Sequence, residues 1–142
     1  MKIIGMIPAR GGSSRFNMKP LAPICGKPML YWVWKHSKEV ECFEEVYVAT
    51  DNEEIKAVAE GFGATVIMTS SDCETATERL WEVAQKVEAD LYVMVNGDEP
   101  LVMAKDIVKC IPETIPADGF YVSNLMTDFS NPVEVVDPTN LK

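Results

Sequence analysis

Short apolar runs alternate with amphipathic helical patterns along most of this 142-residue chain, and that alternation constrains the fold more than any other feature. Lys2–Ile7, Glu45–Thr50, Thr65–Met68, Asp90–Val95 and Phe120–Leu125 read as strands, several of them apolar enough to be covered on both faces. Between them lie helical patterns. Met29–Lys38 follows Pro28, a residue suited to a first helical turn. Ile55, Val58, Ala59 and Phe62 fall at helical spacing behind Asp51, the expected cap, and Gly61 or Gly63 is placed to end that helix. Ala76, Leu80, Val83, Ala84 and Val87 mark a third helix face, and Ala104, Ile107, Val108 and Ile111 a fourth. Strands that alternate with helices form a parallel sheet flanked by helices on both faces. The length matches one domain, residues 1–142, with no internal repeat or linker.

Charge is unevenly placed on this framework. The net charge is −9, which argues against broad attraction to nucleic acid or anionic membrane. Yet residues 1–38 hold seven of the 13 Lys and Arg residues and none of the 22 Asp and Glu. A cationic opening on an acidic protein points to a focused site for a small polyanion. The four cysteines, Cys25, Cys42, Cys73 and Cys110, form no C-x-x-C pair, so neither a zinc site nor a redox pair is expected. With reduced thiols, no secretory leader pattern and no long apolar span, a cytoplasmic protein is expected.

The basic residues cluster where chemistry is expected. In open parallel sheets, ligands bind beyond the carboxyl ends of the strands. At the end of the first strand stand Pro8, Ala9, Arg10, Gly11, Gly12, Ser13, Ser14, Arg15 and, further on, Lys19. Gly11 and Gly12 let backbone amides turn toward an oxyanion, Ser13 and Ser14 add hydroxyl donors, and Arg10, Arg15 and Lys19 can surround a triphosphate. The loop is neither a Walker A motif nor G-x-G-x-x-G. Asp98, past the fourth strand, is a hard carboxylate suited to Mg²⁺ shared with phosphate; its plainer reading is a solvated turn before Pro100. The lone His36 is assigned to the surface, and Trp32, Trp34 and Trp81 to packing.

Ile7-Pro8-Ala9-Arg10, Arg15, Lys19-Pro20-Leu21 and Gly26-Lys27-Pro28-Met29 resemble the opening signature of the 3-deoxy-manno-octulosonate (KDO) cytidylyltransferases, the CMP-KDO synthetase family. Val48-Ala49-Thr50-Asp51, Thr77-Glu78-Arg79-Leu80 and Val95-Asn96-Gly97-Asp98-Glu99-Pro100-Leu101 extend the likeness in the same order. The resemblance implies a Rossmann-like, three-layer nucleotide-diphospho-sugar transferase fold with a mostly parallel sheet, incomplete at the C-terminus. It implies a nucleotidyltransferase that moves CMP from CTP to KDO in lipopolysaccharide precursor synthesis, with Mg²⁺ as cofactor and a homodimer as the full-length form. On it, Lys19, Arg15 and Asp98 are the catalytic residues, and Asp98 holds the metal. Pro8, Ala9, Arg10, Gly11, Gly12, Ser13, Arg15, Lys19, Met68, Thr69 and Arg79 bind nucleotide, and Asn96 and Arg79 bind the sugar. Ala76 stands where the family has Gly, and Asn96 where it usually has Gln. The family's chains run longer, so these residues are expected to be the N-terminal portion of a longer cytidylyltransferase, inactive or nearly so alone. The alternatives are an acylneuraminate, pseudaminate or amino-octulosonate cytidylyltransferase, and a non-catalytic nucleotide-binding fragment.

Overall fold

In the computed structural model, residues 1–12, 17–128 and 130–136 are described, without the side chains of Glu134 and Val135. Strands β1 (Ile3–Pro8), β4 (Glu45–Thr50), β5 (Thr65–Met68) and β6 (Leu91–Met94) form one sheet in the order β5-β4-β1-β6. Every pairing is parallel, with Gly5 beside Val46 on one flank of β1 and beside Val93 on the other. Two further strands, β2 (Pro23–Ile24) and β3 (Lys27–Pro28), form a small antiparallel ribbon. Its turn residues Cys25 and Gly26 both have positive φ, 49° and 77°, the combination a tight two-residue hairpin demands.

Helices α1 (Met29–Lys38), α2 (Glu53–Gly61), α3 (Ala76–Lys86) and α4 (Ala104–Ile107) cover the sheet, and a short α5 (Pro132–Val136) follows. Successive strand residues point to opposite faces. Ile7, Val46, Val48 and Val95 therefore join Leu30 and Val33 of α1, Ile55 and Ala59 of α2 and Ile107 of α4 in one core cluster. Met6 and Ala49 join Val83 of α3 in the other. Removing a fully buried side chain such as Ile55 from this packing costs about 2–5 kcal/mol. The expected three layers are present.

Local signals set the helix ends. The α2 cap is Asn52, whose side chain accepts from the amides of Glu54 and Ile55, and not Asp51 as the pattern suggested. Asp51 is taken up elsewhere, by Arg79. Thr75 and Glu78 form a reciprocal capping box at α3. Chain tracing explains the position of the site. From β1 the chain steps outward to β4 and β5, then returns across the sheet to place β6 on the other side of β1. The loops leaving β1 and β6 thus diverge at a topological switch point, where a crevice opens.

Three expectations are corrected. Phe120–Leu125 forms no strand: among the described residues it pairs with nothing, although Tyr121 Oη donates to the carbonyl of Cys110 at 3.0 Å. Trp81 is not a packing residue but 67% exposed, because it falls outside the stripe that α3 presents to the sheet. His36 is half-buried, with Nδ1 sealed from solvent and lacking a hydrogen-bond partner among the described residues. Trp34 packs against Tyr31 and Phe62, and Trp32 donates its indole N–H to the carbonyl of Ile24, fixing the ribbon to α1.

Candidate active site

Beyond Pro8, the amide of Met18 donates to the carbonyl of Gly11 at 3.0 Å. A single 3₁₀ turn, Lys19–Leu21, follows. Pro20 is buried beneath this turn, and the Lys19 side chain is left at the rim. From the far side of β1, the turn after β6 brings Asn96, Gly97 and Asp98 to the same edge. The two loops nearly touch: a Cβ at Gly97 would lie 2.5 Å from the carbonyl oxygen of Pro8. Glycine is required there for the approach itself.

Together these loops and the start of α3 enclose an open cleft of about 640 Å³. Seven of the residues singled out in the sequence line it: Pro8, Ala9, Arg10, Lys19, Arg79, Asn96 and Asp98. Gly11, Gly12, Met68 and Thr69 are not part of its lining. Ser13 and Arg15 lie outside the described residues. Lys19 Nζ donates to Asp98 Oδ2 at 2.9 Å across the cleft, with the two side chains 42% and 54% exposed. Exposed pairs of this kind contribute about 0.2–1 kcal/mol. A bound polyanion and a cation can exchange partners with them at little cost.

The turn carrying Asp98 is tied to itself. The Glu99 amide donates to the Asn96 carbonyl and the Asn96 amide group to Glu99 Oε1, both at 3.2 Å. Glu99 thereby shapes the turn, and Asp98 is left to face Lys19 across the cleft. No group of three or more His, Cys, Asp or Glu side chains able to hold a metal occurs among the described residues. One carboxylate fits an ion of the Mg²⁺ type that completes its shell with phosphate and water, not a site built from protein alone.

Arg79 belongs to the wall. It is 2% exposed, and its guanidinium donates to Thr69 Oγ1, to the Ser70 carbonyl at 3.4 Å and to Asp51 Oδ2 at 3.2 Å. Glu78, its neighbour in the chain, is occupied by the capping box. This buried pair joins the ends of β4 and β5 to α3 and holds the cleft's rear wall. Two backbone groups of Met68 and Thr69, both expected among the nucleotide contacts, are already engaged. The Met68 carbonyl accepts from Lys86 Nζ at 2.6 Å, and the Thr69 amide donates to the Thr50 carbonyl at 2.9 Å.

The sequence reading missed Cys73 and Glu82. Cys73 lines the cleft and donates its thiol to Glu82 Oε1 at 3.2 Å, and the other carboxylate oxygen accepts the Ser70 amide at 2.9 Å. Burial pushes the Cys73 thiol up from its usual pKa, and Glu82 raises it further. The Ser70 amide, then the Cys73 thiol, hold Glu82 below the usual carboxylate range. Cys73 therefore stays a neutral thiol, a support for the 70–75 loop and a poor nucleophile. Its separation from Glu82 by nine residues gave no local motif.

Comparison with known proteins agrees with this fold. The cytidylyltransferase family profile matches residues 4–142. The 8-amino-3,8-dideoxy-manno-octulosonate cytidylyltransferase of Shewanella sp. (strain W3-18-1) is 41% identical over 147 aligned residues, covering all of this chain and 60% of that protein. The 3-deoxy-manno-octulosonate cytidylyltransferase of Escherichia coli is 45% identical over 106 residues, 75% of this chain and 43% of its own. A solved CMP:2-keto-3-deoxy-manno-octonic acid synthetase, complexed with CTP, superposes with a TM-score of 0.77 at 43% identity, covering 78% of this chain and 46% of that one. The chain thus spans three fifths or less of the length of these relatives.

Proposed function

The chain belongs to the cytidylyltransferase family, and from that premise we propose that it supplies the nucleotide-binding part of an enzyme that transfers CMP from CTP to 3-deoxy-manno-octulosonate, a lipopolysaccharide precursor. The observation that carries the proposal is the convergence of Arg10 and Lys19, from one strand end, with Asp98, from another, on a single cleft at the switch point.

In this reading the anomeric hydroxyl of the sugar acid attacks the α-phosphorus of CTP in line. The new C–O–P link forms as the bond to the β-phosphate oxygen breaks, pyrophosphate leaves with that bond's electron pair, and the hydroxyl proton passes to solvent water. Such transfers depend on positioning and on neutralising spread charge. Lys19 sits beside the α-phosphate, where charge grows. Arg10 and the amides of Gly11 and Gly12 hold the outer phosphates, with Ser13 and Arg15 of the same loop assigned alongside them. Asp98 is the residue that would hold Mg²⁺, and the ion, when bound, would neutralise part of the triphosphate charge. Asn96 offers its amide to a sugar hydroxyl, the backbone at Met68 and Thr69 borders the base, and Arg79 orders the wall that both substrates meet. The full-length enzyme is assigned to the cytoplasm and to a homodimer.

A second acceptor has specific support. The Shewanella relative that aligns with the whole of this chain is named for an 8-amino octulosonate. The deciding test is pyrophosphate release from each of the four nucleoside triphosphates, offered with a panel of sugar acids, by a form spanning the relatives' full length. Release with CTP and an octulosonate is expected, and Lys19→Ala should lower turnover by roughly 100-fold or more, the scale of one oxyanion donor. Near-normal turnover in that variant removes Lys19 from the mechanism; release without preference for CTP overturns the proposal.

A further inference from the structure

Between the end of β5 and the start of α3 runs the segment Ser70–Thr75, and Cys73, Glu74 and Thr75 of this segment line the cleft. None of its residues is buried, so apolar packing does not fix where this wall stands. Its links to α3 are polar. Glu78 accepts the amides of Glu74 at 2.7 Å and Thr75 at 3.2 Å. Arg79 donates to the Ser70 carbonyl at 3.4 Å. Glu82, three residues further along the same helix face, accepts the Ser70 amide at 2.9 Å on one oxygen and the Cys73 thiol at 3.2 Å on the other. Lys86 stands 3.8 Å from the oxygen that takes the Ser70 amide and donates to the Met68 carbonyl, which steadies the carboxylate. Glu82 itself is not part of the cleft lining.

We propose that Glu82 is a positioning residue for CMP transfer. It touches neither substrate, but by holding Ser70 and Cys73 it fixes the wall formed by Cys73, Glu74 and Thr75, and so sets how tightly the cleft holds CTP. The inference rests on the CMP-transfer reading and adds to it a residue outside the cleft. Lys19 and Asp98 pair with each other across the cleft and make no bond to Ser70–Thr75 among the described residues. Loss of Glu82 should therefore weaken nucleotide binding and leave the chemical step intact.

Steady-state kinetics of a form spanning the relatives' full length, at a temperature where every variant is folded, test it. Glu82→Ala loses both bonds and should raise KM for CTP by roughly ten-fold, with kcat within about two-fold of the parent. Glu82→Gln should restore most of the parent KM, because its amide oxygen can accept the Ser70 amide while its NH2 group meets the Cys73 sulfur. The same Gln variant should have a lower melting temperature than the parent near neutral pH, so KM follows the loop bonds while stability follows the charge. Where Glu82→Ala does not fold, Cys73→Ala removes one of the two bonds and should raise KM by roughly three-fold. An unchanged KM in the Ala variant, a fall in kcat matching the rise in KM, or a Glu82→Gln enzyme as impaired as Glu82→Ala overturns the proposal. A parent that releases no pyrophosphate from CTP fails the transfer reading and this inference together; those variant results in an active parent overturn this inference alone.

Discussion

Gly97→Ala is the sharpest perturbation of the cleft, because the structure sets its size. The added Cβ would stand 2.5 Å from the Pro8 carbonyl oxygen, against an ordinary contact of 3.4 Å or more, so the loops must part by about 0.9 Å. Neither loop yields freely: the Val95 amide is bonded to the Met6 carbonyl, and the Ala9 amide to the Ala49 carbonyl. Overpacking of this kind costs about 1–3 kcal/mol. For a chain of this size that lowers the melting temperature by roughly 3–12 °C. The functional consequence is larger, since Pro8 and Asp98 carry the two sides of the cleft, and a shift near 1 Å costs roughly 100-fold in a reaction that depends on positioning. Calorimetric melting and CTP titration of the variant are the assays. Gly61→Ala, where a Cβ meets nothing within 4 Å, is the control and should be neutral or stabilise by up to about 1 kcal/mol. A Gly97→Ala protein that melts and binds CTP like the parent refutes the close-approach reasoning.

Asp51→Asn should destabilise by about 3–5 kcal/mol in urea titration, because it leaves the buried Arg79 guanidinium without its counter-charge; a change under 1 kcal/mol would remove the pair from the wall. The carboxyl of Glu82 titrates below its ordinary value of 4.5 when folded, so its stabilising effect is full above that pH and is lost as pH falls through the folded value. The melting-temperature gap between the parent and Glu82→Gln should accordingly be widest near neutrality and shrink below about pH 4.5; a gap independent of pH contradicts the assigned bonds. Iodoacetamide near neutral pH should modify the exposed Cys25 and Cys42 well before Cys73, whose raised thiol pKa keeps it protonated, as peptide mass mapping would show.

Periodicity carried most of the fold. Ile55 and Ala59, or Val46 and Val48, announce their faces by spacing alone, and the structure buries them there. What depends on a distant partner was not legible. Phe120–Leu125 has strand composition, yet a strand exists only beside another, and none among the described residues reaches it. Asp51 and Asn52 are both good caps by type; the choice between them is made by Arg79, 28 residues away. The site was more legible than the wall behind it. Arg10, Lys19 and Asp98 sit at strand ends, where a parallel sheet gathers its loops, so their convergence followed from topology. Gly97 lay inside a quoted motif, but its reason, the Pro8 carbonyl, emerges only in three dimensions.

The central claim is that one cleft, with Arg10 and Lys19 on one side and Asp98 on the other, takes a cytidine triphosphate. Nitrogen–proton correlation spectra of the 142-residue chain, titrated with each of the four nucleoside triphosphates in the presence of Mg²⁺, test it most directly. Saturable shifts at Ala9–Gly12, Lys19 and Asp98 together, largest in affinity for CTP and weakened by Lys19→Ala, are the expected result. Shifts confined to one side of the cleft, or an equal response to all four nucleotides, would contradict it.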